Sequence, residues 1–377
     1  VNEMPVARLG VWPRVVLVLL VWFAFVRVPE PAANADLDPS WRAVQASVLQ
    51  GELQCGADVV FTFGPLGWFN HPTFVPSLFG VHLAWEIVFK LVCACFAVAV
   101  LVRRTRGLDL ALGVFAVVCA GSDPDGFALT VMFVNAVWIG TRLDRPLVTS
   151  LAAFSISIVL ALVKFPYALA FVLATALLAA SLWSTSVGRS LAFVAGALTL
   201  YVVAWTISGQ APTNLPDWIA GATEIARGYG AALGAPIPRL QWALAALTCA
   251  SALAAIVLAL RVDSTRRRSV CVLLFAGTAW LALKIGFVRG EHKQLAAFDF
   301  VAAGMFALPL AGFAASRAAR ILRRCACAAA VCGHAFVLGR GWDAPRALLR
   351  ESADRIGASV IFLTQPNETR AALESDW

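Results

Sequence analysis

The chain has 377 residues, of which 60% are hydrophobic and 14% charged, and its mean hydropathy is +0.79. Soluble domains are about 45–50% apolar and about 25% charged, so water is excluded as the solvent for most of this surface and a bilayer is expected instead. The net charge of +8 does not point to nucleic acid, because the basic residues stand in short clusters between apolar runs, as orientation charges do in membrane proteins.

Arg8 and Arg14 precede the apolar run Val15–Val28. Ala33-Asn34-Ala35 offers a small-residue cleavage pattern, but with so many further apolar runs a retained first span is the expectation. A long loop follows, rich in acids, turn residues and aromatics, which suits a folded cap rather than a passive connector. Leu78–Val102 crosses back and ends in Arg103, Arg104 and Arg106. Leu108–Ala120 and Phe127–Gly140 form a hairpin about the turn Gly121-Ser122-Asp123-Pro124-Asp125-Gly126. Leu147–Val163 and Phe165–Trp183 are split at Lys164-Phe165-Pro166, since proline disfavours helix in the residue before it. Leu191–Ser208, Trp242–Leu260, Val270–Leu283, Leu295–Ala315 and Cys325–Leu338 complete the spans.

These runs predict an all-α integral membrane protein of about eleven transmembrane helices, the cytoplasmic turns holding about sixteen arginines against about eight basic residues in longer outer loops. A multi-pass protein of the cytoplasmic (inner) membrane is expected, with the N-terminus inside and the C-terminus outside. The membrane domain spans 1–340, with outer loops at 29–77, 209–239 and 284–294, and an extracytoplasmic tail covers 341–377. In that tail Asp343–Ala358 has helical spacing, while Ser359-Val360-Ile361-Phe362-Leu363 reads as a strand in a small appendage. Of nine cysteines, eight lie in apolar runs as small hydrophobes, and Cys55 alone lies in a loop, so neither a disulfide framework nor a zinc site is expected.

Three groups of residues invite a chemical role. Asp36, Asp38 and Asp58 in the first loop suit a general base for an acceptor hydroxyl or ligands of a divalent cation; equally, Asp38 reads as the cap of a helix Pro39–Leu49. Trp41, Phe61, Phe63 and Trp68 stand around Gly64-Pro65, where a rigid backbone brings rings to a flat ligand such as a sugar, or where aromatics anchor the interface. Lys284, Arg289, His292 and Lys293 form a candidate phosphate site, with snorkelling cations as the plainer alternative. Within the second span His82, Glu86 and Lys90 share one helix face, and a buried Glu86–Lys90 ion pair is expected.

Asp36-Leu37-Asp38-Pro39-Ser40-Trp41, the run from Asp58 through Phe61-Thr62-Phe63-Gly64-Pro65-Leu66-Gly67, Gly228-Tyr229-Gly230-Ala231-Ala232, and Lys284 with Gly286-Phe287-Val288-Arg289 resemble a group of bacterial polytopic proteins. That group is similar to the GT-C superfamily of lipid-linked-sugar glycosyltransferases. The resemblance implies a GT-C-like fold and a polyprenyl-phosphate sugar donor used at the outer membrane face. It assigns the base or metal ligand to Asp36 or Asp38 and the donor phosphate to Arg289. The Gly228–Ala232 stretch and Glu291-His292 depart from the group's pattern. The partners expected are the bilayer and a lipid-linked sugar, and a divalent cation is the cofactor this chemistry allows. The alternatives are a transporter or flippase of a lipid-linked or anionic substrate, for which paired broken helices and repeats would speak, and a non-catalytic membrane scaffold.

Overall fold

Helix boundaries in this chain follow from capping chemistry at short polar interruptions. The computed structural model describes residues 10–31, 37–104, 107–234, 236–262, 266–289, 294–308, 317–339 and 343–376. In order, the α-helices are α1 Val11–Phe25, α2 Leu37–Leu49, α3 Phe79–Ala84, α4 Lys90–Arg104, α5 Gly107–Ala120, α6 Pro124–Gly140, α7 Leu147–Ala161, α8 Phe165–Trp183, α9 Val187–Ile207, α10 Leu215–Leu233, α11 Arg239–Val262, α12 Arg266–Arg289, α13 Leu295–Ala307, α14 Arg317–Leu338, α15 Ala344–Thr364 and α16 Pro366–Asp376. α6 starts where Asp123 Oδ2 accepts the Gly126 N–H at 2.8 Å, with Pro124 in the first turn. α8 starts with Pro166 in its first turn, directly after Lys164 in extended conformation. α3 and α4 are one continuous rod joined by a single π-helical turn, Trp85–Phe89.

Six helices are long and apolar enough to cross a membrane: Pro76–Arg103, Phe165–Trp183, Val187–Ile207, Arg239–Leu258, Arg268–Val288 and Arg317–Leu338. The chain is thus a multi-pass, all-α membrane protein, and the expectation of about eleven spans is corrected to six candidates among the described residues. Five shorter apolar helices make the difference: α1, α5, α6, α7 and α13. All five are shorter than 18 residues, and α6 and α13 are in addition enclosed by other helices. At 1.5 Å per residue the 17 residues of α6 and the 13 of α13 reach about 26 and 20 Å, against a hydrocarbon core of about 30 Å. Every residue of α13, and all of α6 except Trp138, is buried. A helix that is apolar all round reads alike whether lipid or other helices surround it. Here α6 and α13 pack on each other, with α5, α12 and α14 around α13.

The segment between α1 and α3 is folded. Glu30 pairs with the strand-like backbone at Thr73, its N–H donating to Pro72 O at 2.9 Å and its carbonyl accepting from Phe74 N at 2.7 Å. Thr62 to Leu66 runs along the α7–α8 turn, with Gly64 N to Val163 O at 3.1 Å and Phe165 N to Thr62 O at 2.7 Å. A reciprocal glutamine clasp ties the same segment to the α9–α10 turn. Gln54 Nε2 donates to Gly209 O at 2.9 Å, and Gln210 Oε1 accepts from Cys55 N at 2.7 Å. Gly56 sits at that junction with φ +89°, and a Cβ there would lie 2.4 Å from Asn214 O and 2.7 Å from Trp218 N. Gly56→Ala is therefore expected to lower stability by about 1–3 kcal/mol through overpacking against backbone that cannot rotate away. Thermal unfolding in micelles checks this, and an unchanged midpoint would show the clasp to be slack.

Other sequence boundaries also move. α2 begins at Leu37, so Asp38 lies inside the helix instead of capping it at Pro39. α12 continues to Arg289, so Lys284 is helical and not in a loop. The 209–239 loop contains the 19-residue helix α10. In the tail, Ser359–Leu363 is not a strand but the last turns of α15. Phe362 packs with Val26, Phe74 and Phe79, and Ser359 Oγ donates to Val26 O at 3.3 Å, so tertiary docking overrides β-propensity. At the other end of the helices, Asp109 binds Arg323 Nη2 at 2.5 Å and Arg324 Nε at 2.7 Å, while Arg189 Nη2 holds the carbonyls of Leu143 and Arg145.

Candidate functional site

Several buried charged residues of the apolar helices lie at the end where the first loop docks. α6 begins there, and its second residue, Asp125, is fully buried. Lys164, extended between α7 and α8, places Nζ 2.7 and 2.8 Å from the two Asp125 oxygens. Tyr167, one turn into α8, donates its hydroxyl to Asp125 Oδ1 at 2.5 Å. The phenol oxygen also lies 2.9 Å from Asn70 Oδ1. A single phenolic proton serves one acceptor, so the Asn70 amide pairs with the phenol through its NH2 group when turned over. Both oxygens of Asp125 are thus engaged, which makes it a fixed negative charge and not a free base.

Over this pair lies an aromatic stack. Lys164 Nζ is 5.2 Å from the centroid of Phe63. Trp41 from α2 stacks on Phe63 with centroids 4.7 Å apart and planes at 18°, and Phe61 stacks on Phe63 at 5.6 Å. An ammonium over an aromatic face gains about 0.5–2 kcal/mol. An ammonium has three N–H groups and Asp125 takes two of them. The Lys164 side chain keeps 13% exposure.

Two further polar groups adjoin. Glu86, inside the π-helical turn, is 0% exposed; its Oε2 accepts from Lys90 Nζ at 2.8 Å and from Arg27 N at 2.9 Å. Single π-turns recur at functional positions because they aim one side chain off the regular helical path. His82 Nε2 donates to Arg27 O at 2.8 Å, and Arg27 Nη2 donates to the carbonyls of Gly121 at 3.0 Å and Ser122 at 2.9 Å. Asp299 of α13 and His334 of α14 form the other group, 2.5 Å apart and 1% exposed each.

The residues singled out in the sequence separate accordingly. Trp41, Phe61 and Phe63 come together, whereas Trp68 is buried in a different cluster with Ala46, Phe69 and Leu78. Asp38 lies one turn before Trp41 in α2, and Asp36 lies outside the described residues. Asp58 is exposed, and its Oδ2 accepts the Gln54 N–H at 2.8 Å, closing a loop turn. Lys284 is exposed with Nζ 5.5 Å from the ring of Trp280 one turn earlier, a snorkelling arrangement. The Arg289 backbone ends α12, and His292 and Lys293 lie outside the described residues. Among the described residues no group of three His, Cys, Asp or Glu side chains is placed to hold a metal ion. Burial pushes the Cys55 thiol up to about 12, which keeps it protonated and unreactive.

Asp125, Lys164, Tyr167, Asn70, Asp299 and His334 were not apparent as a site from sequence order. Apart from Asn70, their signal was ionisable groups inside or at the edges of apolar runs, which marks functional positions in membrane proteins. Searches against protein-family models, curated proteins and solved structures give no match to this chain. What stands from sequence and geometry together is a polytopic membrane protein able to act on a membrane-associated substrate.

Proposed function

We propose that the chain is a membrane glycosyltransferase that takes its sugar from a polyprenyl-phosphate donor at the outer face of the cytoplasmic membrane. The observation that carries this is the aromatic stack of Trp41, Phe61 and Phe63 beside the Lys164–Asp125–Tyr167 centre. A sugar presents a flat apolar face to such rings, and its phosphate needs a cation within reach. The third N–H of Lys164 meets the oxygen whose charge grows as the sugar leaves, and Asp125 with Tyr167 holds that ammonium in place before the reaction. Asp38, or Asp36 before it, receives the acceptor's proton in this reading, and Arg289 adds a second cation. A divalent cation carried by the donor is compatible with it.

The test is sugar transfer in membranes supplied with polyprenyl-phosphate sugars of several classes. Wild type transfers from one of them, and Trp41→Ala raises KM for that donor about tenfold with kcat little changed, as lost stacking predicts. Absence of transfer from every donor class overturns the reading. Buried ionisable residues in apolar helices, Glu86, Lys90, Asp299 and His334, favour a transporter as the second reading. Flux of an intact lipid-linked substrate across sealed vesicles, without transfer, would establish that one.

The orientation carries its own prediction. Single cysteines at positions 58 and 213 are expected to label from outside the cell, and those at 145 and 324 from inside. Labelling of 324 from outside would reverse the membrane face at which the site opens.

A further inference from the structure

A second polar group in the interior has hydrogen-bonding capacity that its neighbours do not use. Asp299 Oδ1 fixes His334 through Nδ1, and Ser122 Oγ donates to Asp299 Oδ2 at 3.4 Å. With Nδ1 taken by a carboxylate, Nε2 is the end of the ring left for other chemistry. His334 is 1% exposed, and its Nε2 has no hydrogen-bond partner among the described residues. The C-terminal helix α15 packs on α14 and carries Arg355 close enough to Asp299 to feel its charge. Its Nη2 donates to Val118 O at 3.3 Å, while Nε and Nη1 are buried with no partner among the described residues.

The charges around Arg355 say what is needed there. It feels the attraction of Asp299, the acid that holds His334, and the repulsion of Arg27. Burial first, and then that repulsion, push Arg355 down to about 10. Buried guanidinium N–H groups without acceptors are costly, and two neighbouring arginines raise that cost. An oxyanion relieves both costs, because it accepts the free N–H groups and screens Arg27 from Arg355.

We propose that Arg355 and His334 form a buried binding site for a phosphate-class oxyanion, received by Nε and Nη1 of Arg355 and by Nε2 of His334, with Asp299 orienting the imidazole. Nε2 suits a phosphate in either protonation state, since imidazolium donates to P–O⁻ and neutral imidazole accepts from P–OH. The phosphate belongs either to a lipid phosphomonoester headgroup or to the free ion. The site goes beyond the sugar-transfer reading and uses none of Trp41, Phe63, Asp125 or Lys164.

Binding to the full chain in maltoside micelles, which contain no phosphate, tests this by calorimetric titration with inorganic phosphate and, separately, with phosphatidic acid. The wild type binds at least one probe. Tighter binding of phosphatidic acid identifies a headgroup site, and equal binding identifies a free-ion site. Arg355→Gln and His334→Gln weaken the binding at least about tenfold, the effect of losing charge-assisted hydrogen bonds. Arg370→Gln, on exposed α16, binds as wild type. Failure of the wild type to bind either probe overturns the proposal even if a variant does not fold, and so does unchanged affinity in either folded variant. Because the readout is binding and not turnover, its failure leaves the sugar-transfer reading untouched.

Discussion

Replacing Lys90 with methionine is expected to destabilise the folded protein by about 3–5 kcal/mol, because it strands a charged carboxylate in the interior. Glu86 is 0% exposed, and its Oε2 has two donors, Lys90 Nζ and the Arg27 backbone N–H. Without the ammonium, one amide remains to hold a full negative charge. Glu86→Gln/Lys90→Met is expected to recover most of the loss, since the amide oxygen of glutamine still accepts from Arg27. Glu86→Leu/Lys90→Met removes both charges too but leaves the Arg27 N–H buried without its acceptor, a further cost of about 1–3 kcal/mol. The ordering is measured by denaturant unfolding in micelles. If the leucine double variant matched the glutamine one, the Arg27 contact would contribute nothing. If Lys90→Met alone were neutral, Glu86 would not be charged in the folded state.

That pair was legible in the sequence for a local reason: residues four apart share a helix face, and charges inside an apolar run need each other. The ends of α8 were legible as well, because Pro166 and the polar Ser184-Thr185-Ser186 turn act within a few residues. What failed was anything decided by neighbours distant in the chain. α6 and α13 have the composition of membrane spans, and their shorter length and enclosure by other helices distinguish them from α9, whose Leu191, Leu198 and Ile207 face outward. Ser359–Leu363 carries β-branched residues, yet the docking of Phe362 on Phe79 keeps it helical. The candidate site is hidden for the same reason. Asp125 and Lys164 are 39 residues apart, and Asp299 and His334 are 35 apart, so each pairing is made by helix packing that no local pattern encodes. The turn at 121–126 announced itself as a turn, and its carbonyls' role in holding Arg27 appeared only in three dimensions.

The Lys164–Asp125 pair should respond asymmetrically to mutation, and that asymmetry allows folding and function to be separated. Asp125 is fully buried, whereas the Lys164 side chain retains 13% exposure. Lys164→Met leaves a buried carboxylate without its cation and is expected to cost about 3–5 kcal/mol. Asp125→Asn leaves an ammonium that still reaches water and the face of Phe63, so its cost should be smaller, about 1–3 kcal/mol. Asparagine also keeps an oxygen for the Tyr167 hydroxyl, which lies 2.5 Å from Asp125 Oδ1. The double variant Asp125→Asn/Lys164→Met carries no charge at these two positions and should unfold close to the wild type. It should nevertheless transfer sugar about 100-fold more slowly or worse, because the cation facing the departing phosphate is gone. Arginine at position 164 in the wild-type background restores a cation with a different fork and should recover part of the rate. A well-folded double variant with wild-type transfer would remove Lys164 from the reaction, and the aromatic stack would then be a structural cluster at the loop's edge.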